Sequence, residues 1–312
     1  IRNMIIKLIS VLCIFIFIKN QNDLYLYFLI YVFSTLIGNG SLWLYLPKFL
    51  GKVELKELNI FRHLKPTISL FIPQIAIQIY TLLDRTMVGA IISDKSEVGY
   101  YDQGQKIVKM LLAVITSMGT VMLPRIANTF ATGDRNMVKN YMNKSFNLVF
   151  ALAFPLIFGI IAVSKAFVPV FFGPGYDKVA ILMSVISPII LLIGISNVTG
   201  TQYLLPIKRQ KEYTISVFCG AIINFIMNIC LIWNYGAIGA SIGTVIAELT
   251  VTLVQIHFVK NDFDFKEIFK SAKNYLFSSL IMFIICLFIE TKIKSNLVST
   301  ISQVGVGIII YI

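Results

Sequence analysis

Gln74, Gln78, Thr81, Arg85 and Gly89 follow one another at steps of four, three, four and four residues. That spacing puts them on one face of an α-helix. A second run, Gln105, Lys109, Thr116 and Thr120, repeats the character a short distance on. Each stripe combines amides and hydroxyls with one cation. Groups of this kind bind an anion and hydrogen-bond its polar substituents; they supply no nucleophile. Two readings are open: the wall of a hydrated, cationic cavity for an anionic substrate, or hydrogen bonding between helices, with Lys109 extending its ammonium to a surface. Asp84 adjoins Arg85, but sequence neighbours on a helix point about 100° apart, so the two do not simply pair.

A third group surrounds a carboxylate. Ser241, Thr244, Glu248, Thr252 and Gln255 share one helical face, with Glu248 near the middle of an apolar run. A carboxyl group there either carries a proton or pairs with another helix. Glu248 and Asp84 are the two candidates for ion coupling. Asn224 and Asn228, one turn apart, are expected to bond between helices, and Gly239 and Gly243 form a small-xxx-small packing face.

The elements that must hold these residues follow from composition. Of 312 residues, 57% are hydrophobic and 13% charged, with mean hydropathy +0.82; an average soluble domain carries about 25% charged residues. The excess apolar surface excludes an ordinary soluble enzyme, a disordered tail and a nucleic-acid-binding domain. An all-α polytopic membrane protein remains. A bilayer core of ~30 Å needs about 20 apolar residues as helix. Spans are expected at Leu8–Ile18, Leu24–Pro47, Pro66–Ile92, Lys106–Phe130, Ser145–Ser164, Val179–Ile207, Asn274–Ile289 and Ser295–Ile312. Tyr213–Ala247 is too long for one helix, and Asn234-Tyr235-Gly236 is expected to divide it. The total is about ten. The apolar runs are continuous rather than alternating, which disfavours a transmembrane barrel. Pro73, Pro155 and Pro188 are expected to bend their spans.

The net charge of +12 is read by position. Basic residues concentrate by more than two to one on one side of the alternating loops, including Lys48, Lys52, Lys56, Arg135, Lys139 and Lys144, then Lys208, Arg209 and Lys211. That side is expected to be cytoplasmic. The chain starts within one apolar run and stops within another, and reads as an internal piece of a longer protein.

Other chemistry is disfavoured. Asp262-Phe263-Asp264 imitates a metal–nucleotide motif but stands in a short loop with no nucleotide-binding domain beside it. His63 and His257 are isolated from each other and from cysteine clusters, so no zinc site is expected. Cys13, Cys219, Cys230 and Cys286 lie in apolar runs and read as small buried hydrophobes. Asn143-Lys144-Ser145 matches a glycosylation sequon on the expected cytoplasmic side. No phosphate loop or triad signature occurs.

The stretches LKPTISLFIPQIAIQIYTLLDRTMVGAIIS, EVGYYDQGQKIVKMLLAVITSMGTVMLPRIAN, FVPVFFGPGYDKV, LLPIKRQKEYTISVFCGAIINFIMNICLI and NYGAIGASIGTVIAELTV resemble the polysaccharide-transport flippases of the multidrug/oligosaccharidyl-lipid/polysaccharide exporter superfamily. The resemblance covers Lys48 to Phe258 most closely. It implies two six-helix lobes around a V-shaped cavity worked by alternating access, with the first four helices outside this sequence. Residues 1–47 would hold the last two helices of the first lobe, 48–65 a cytoplasmic linker, 66–259 the second lobe and 260–312 two accessory helices. Because the first helix pair of each lobe lines the cavity in such proteins, Gln74, Gln78, Thr81, Asp84, Arg85, Gln105, Lys109 and Thr116 would line it here. The implied substrate is an undecaprenyl-diphosphate-linked oligosaccharide, moved between leaflets for capsule, exopolysaccharide or O-antigen assembly in the cytoplasmic membrane. The implied partners are this lipid-linked oligosaccharide, membrane lipids and polymerase or export machinery, with no nucleic acid and no cofactor. A multidrug exporter or lipid II flippase of the same superfamily is the near alternative. A membrane-bound polysaccharide polymerase or acyltransferase is the alternative of another class.

Overall fold

In a computed structural model, described over residues 2–20, 23–44, 46–48, 60–293 and 295–311, helices follow one another with short turns. No strand occurs among the described residues, as the unbroken apolar runs require. The helices are α1 (Arg2–Phe17), α2 (Leu24–Gly40), α3 (Ile60–Ile91), α4 (Ser96–Ala131), α5 (Arg135–Phe171), α6 (Asp177–Ile186), α7 (Ile189–Ser196), α8 (Gln210–Val259), α9 (Phe265–Lys292) and α10 (Asn296–Tyr311). Among the described residues, five helical stretches of 28 to 50 residues are long and apolar enough to cross a membrane, and three shorter apolar helices accompany them.

Local sequence explains the breaks. Gly236 adopts φ 56°, ψ −133° within α8, a left-handed conformation that costs a glycine little. It divides the helix where Asn234-Tyr235-Gly236 is expected to turn, giving α8a (residues 210–235) and α8b (residues 237–259). Pro188 separates α6 from α7, and α7 runs on into a π-helical turn, Asn197–Leu204. Helix α2 stops at Gly40, with Ser41 as its cap, short of the Pro47 end expected from hydropathy. Gly38-Asn39-Gly40 has poor helix propensity. Most of the expected linker, residues 49–59, lies outside the described residues, as does the side chain of His63. Arg62 and Lys65, at the end of that expected linker, lie in the first turns of α3.

The chain divides into two compact units, Ile1–Lys65 and Pro66–Ile312. In the first, α1 packs on α2, with Ile6 against Gly38. In the second, α5 is the hub, packed against α4, α6, α7, α9 and α10. Phe146 and Phe150 of α5 meet Phe263, Phe265 and Phe269 at the start of α9. The two halves of α8 approach at the small residues: a Cβ on Gly239 would lie 2.4 Å from the Leu231 carbonyl oxygen, and one on Gly243 would lie 2.6 Å from Asn228 Oδ1.

Around an apolar core, the surface is apolar on a scale that a soluble fold does not show. Large apolar side chains such as Phe277, Ile284, Phe288 and Leu253 are exposed, while Asp84, Gln105, Asn224, Asn228, Glu248 and Gln255 are buried. Apolar surface on this scale needs a covering. Together with the long apolar helices, it makes the chain a multi-pass protein of the cell membrane.

Candidate functional site

Each face of α3 has a different role. Tyr80, Asp84 and Val88 recur every four residues and point into the second unit. Gln74 and Gln78 are exposed, and Thr81 and Arg85 are half-buried. The stripe of the sequence therefore lies beside the face that packs.

Asp84, 1% exposed, is the centre of the buried face. Its Oδ1 accepts a hydrogen bond from Asn228 Nδ2 at 2.6 Å, and its Oδ2 accepts from the Tyr101 hydroxyl at 2.8 Å, with Thr244 Oγ1 at 2.9 Å. Gln105 Nε2 donates to the Tyr101 hydroxyl. Four helical segments thus meet on one carboxylate: α3, α4, α8a and α8b. A lone ionised carboxylate in the apolar interior would be costly, so this packing needs the donors. One turn along, the Tyr80 hydroxyl donates to Glu248 Oε1 at 2.7 Å. Two buried carboxylates are therefore stacked between α3 and α8b. The expectation that Asn224 and Asn228 bond between helices holds for Asn228, which also donates to Asn224 Oδ1 at 3.2 Å.

Arg85 does not pair with Asp84. Its guanidinium reaches Asp102 Oδ1 at 2.9 Å, and Lys106 Nζ reaches Asp102 Oδ2 at 2.6 Å. Two cations share one carboxylate, which leaves a local excess of positive charge. Lys109, half-buried, has no hydrogen-bond or ion-pair partner among the described residues and feels the charges of Arg85, Asp84, Glu248 and Asp102. Thr81 and Thr116 return their hydroxyls to their own helices.

The eight cavity candidates thus separate. Gln74, Gln78, Thr81, Arg85, Lys109 and Thr116 retain exposed or half-exposed surface. Asp84 and Gln105, expected on the same wall, are instead sealed inside the unit at 1% and 2% exposure. The physical reason is Tyr101, which draws both into its hydroxyl network. Tyr80, Tyr101 and Asp102 escaped the sequence reading because two of them count as apolar aromatics there. The four-residue steps from Tyr80 to Asp84 and from Tyr101 to Gln105 were the available signal.

Two further clusters hold the ends of this unit. At one end, Glu97 of α4, 7% exposed, accepts from Lys178 at the start of α6 and from the Ala237 N–H at 3.1 Å, just past the Gly236 turn. At the other, Arg209 donates to Glu212 at 2.5 Å, to Asp262 at 2.6 Å and to the Phe258 carbonyl at 2.8 Å. The Glu212 and Asp262 carboxylates hold the Arg209 guanidinium above its ordinary pKa. Asp264 caps α9 by accepting from the N–H groups of Lys266 and Glu267. Both aspartates of the Asp262-Phe263-Asp264 sequence thus have structural partners. Among the described residues, no cluster of three or more metal-ligating side chains forms, and the four cysteines are free.

Long apolar helices that enclose charged and amide groups, with a stripe of amides and cations left half-exposed, define a polytopic helical membrane fold. A family model described as "MatE" matches residues 70–230, more than half of the chain, and one described as "Polysaccharide biosynthesis protein" matches residues 1–130. The chain belongs to the MatE family. It is 29% identical over 218 residues to an Escherichia coli (strain K12) protein assigned as an O-antigen transporter, covering 69% of this chain and 51% of that one. It is 24% identical over 183 residues to the lipid II flippase MurJ of Bacillus subtilis (strain 168), covering 57% and 34%. A solved structure of lipid II flippase MurJ in an inward closed conformation superposes with TM-score 0.78 at 21% identity, covering 99% of this chain and 65% of that one; it shows the fold. The chain spans between a third and a half of the length of these sequence relatives.

Proposed function

We propose that this chain is the second lobe, with flanking helices, of a flippase that carries a polyprenyl-diphosphate-linked oligosaccharide from the inner to the outer leaflet for O-antigen, capsule or exopolysaccharide assembly. Residues 66–259 are the lobe, 1–47 the end of the preceding lobe, 48–65 the link between them and 260–312 the accessory helices. The observation that carries the reading is the open cationic stripe: Gln74, Gln78 and Arg85 on α3 with Lys109 on the next helix. A diphosphate cannot cross ~30 Å of hydrocarbon unaided. A cationic cleft holds it while the lipid tail remains in the bilayer. Glutamine amides and threonine hydroxyls suit the sugar hydroxyls. No bond is made or broken, so the protein acts as a carrier rather than an enzyme. Asp84 and Glu248 are the ion-coupling carboxylates, and a polymerase or export complex receives the product.

The test uses the full-length protein in a bacterium lacking its own O-antigen transporter. Restored surface O-antigen, lost in Arg85→Ala at equal protein level, is the expected result. Unchanged surface polysaccharide in Arg85→Ala removes Arg85 from the cleft. The likeness to MurJ favours a second reading, lipid II transport; rescue of a strain depleted of its lipid II flippase, without rescue of O-antigen export, would select it.

A further inference from the structure

A concavity of about 440 Å³ opens at the Gly236 turn, and none of the stripe residues lines it. Sites for small molecules span roughly 300–1,000 Å³. On its buried side lies the ion pair of Glu97 and Lys178, whose carboxylate also accepts from the Ala237 N–H at 3.1 Å. Asp94, Trp233, Asn234 and Tyr235 complete its polar and aromatic lining, and all four are exposed. Trp233 at 69% and Tyr235 at 58% exposure have ring faces available to a ligand. Asp94 Oδ1 accepts from the Ser96 hydroxyl at 2.7 Å and the Ser96 N–H at 2.9 Å. Its Oδ2 and the Asn234 amide have no hydrogen-bond partner among the described residues. Chain direction fixes where the concavity opens. From Arg209, α8a runs about 39 Å to the Gly236 turn, enough to cross a core of ~30 Å. Lys208, Arg209 and Lys211 mark the basic, cytoplasmic side, so the concavity faces the opposite, outer side.

We propose that this concavity is a saccharide-binding subsite on the outer face, which receives sugar rings of the oligosaccharide after its diphosphate has crossed. The proposal deepens the flippase reading and rests on it for the origin of the sugar, but it uses none of the stripe residues. The lining selects the ligand class. Asp94, Glu97 and Lys178 together leave one net negative charge, which repels a phosphate or an anionic lipid headgroup. The Lys178 ammonium repels a metal ion. A wholly apolar ligand would bury the Asp94 oxygen and the Asn234 amide without partners, at a cost for each. A sugar ring satisfies every group. Its C–H face lies on the indole of Trp233 or the ring of Tyr235. Its hydroxyls donate to Asp94 Oδ2, a charge-assisted bond, and exchange hydrogen bonds with the Asn234 amide. Tryptophan and tyrosine also mark the membrane–water interface, but that role calls for neither a concavity nor an unpaired carboxylate beside the rings.

The test uses the full-length protein in lipid nanodiscs and an oligosaccharide without lipid or diphosphate: repeat units released by mild hydrolysis from the surface polysaccharide of the cell that makes the protein. Titration followed by saturation-transfer NMR should show binding to the wild type. Trp233→Ala should weaken it about fivefold or more, and Trp233→Phe, which keeps an aromatic face, should restore most of it. Asn234→Ala should lie between Trp233→Ala and the wild type. Because Trp233 is exposed, Trp233→Ala should unfold at the temperature of the wild type. No binding by the wild type overturns the proposal. Equal binding by the wild type and Trp233→Ala also overturns it, and leaves Trp233 as an anchor at the membrane surface. Export of O-antigen in the transporter-deficient strain is read separately. Binding through Trp233 without restored export keeps the saccharide site and removes the flippase reading; restored export with binding indifferent to Trp233 does the reverse.

Discussion

At the scale of residues, the second unit separates its charges by task. Asp84 is enclosed by donors, while Arg85 and Lys106 crowd one carboxylate, Asp102. Asp84→Ala removes the acceptor for Asn228 and Tyr101. Each orphaned buried group costs about 1–3 kcal/mol, so the thermal unfolding temperature of the purified full-length protein should fall well below that of the wild type. Asp84→Asn, which retains one acceptor oxygen, should fall less. Asp102→Asn is expected to act in the other direction on binding. It releases Arg85 and Lys106 from their shared counter-ion, so affinity for a polyprenyl diphosphate should rise and its salt dependence should steepen, measured by titration at two ionic strengths. Weaker binding would show that Asp102 serves to orient Arg85 rather than to neutralise it.

The helices set what these residues can reach, and here the sequence was legible in part. Continuous apolar runs located the spans, and the Asn234-Tyr235-Gly236 signal located the turn inside α8, because turn chemistry is local. The face of a helix that packs was harder to read. The polar stripe on α3 was visible, but the deeper face of Tyr80, Asp84 and Val88 depends on long-range partners that no periodicity discloses. For that reason Asp84 and Gln105 were expected on an open wall and are buried. The Gly236 turn also carries a prediction. Its backbone is left-handed, and a Cβ there would lie 2.9 Å from Glu97 Oε2. Gly236→Val should therefore lower thermal stability by a few kcal/mol; backbone strain of this kind costs about 1–3 kcal/mol before the clash. Glu97→Gln, which loses the ion pair with Lys178 but keeps an acceptor for the Ala237 N–H, should lie between that variant and the wild type. At the start of α4, bonds from the Ser96 hydroxyl and N–H hold the exposed Asp94 carboxyl below its usual pKa. A depressed carboxyl stabilises the fold above its unfolded pKa, and that support is lost as pH falls through the folded value. Amide exchange at Ser96 and Glu97 should thus quicken only below the ordinary carboxylate range, and Asp94→Asn should weaken this pH dependence.

Across the whole molecule, a broad exposed apolar surface on long apolar helices places the chain in a membrane, and a family model over half its length places it in the MatE family. What its sequence could not disclose is the cargo, because amides, hydroxyls and two cations would suit any diphosphate or sugar hydroxyl rather than one glycan. The central claim, a positively lined cleft that passes a charged headgroup while its lipid anchor stays in the bilayer, meets its most direct test in liposomes. The full-length protein, reconstituted with a fluorescent polyprenyl-diphosphate-linked oligosaccharide, should make inner-leaflet substrate accessible to an external quencher. Arg85→Ala and Lys109→Ala should each slow that exposure at least tenfold, corresponding to about 1.4 kcal/mol or more of lost stabilisation of the charged headgroup. Equal rates in the wild type and both variants, or no flipping by the intact protein at any rate, would contradict the account.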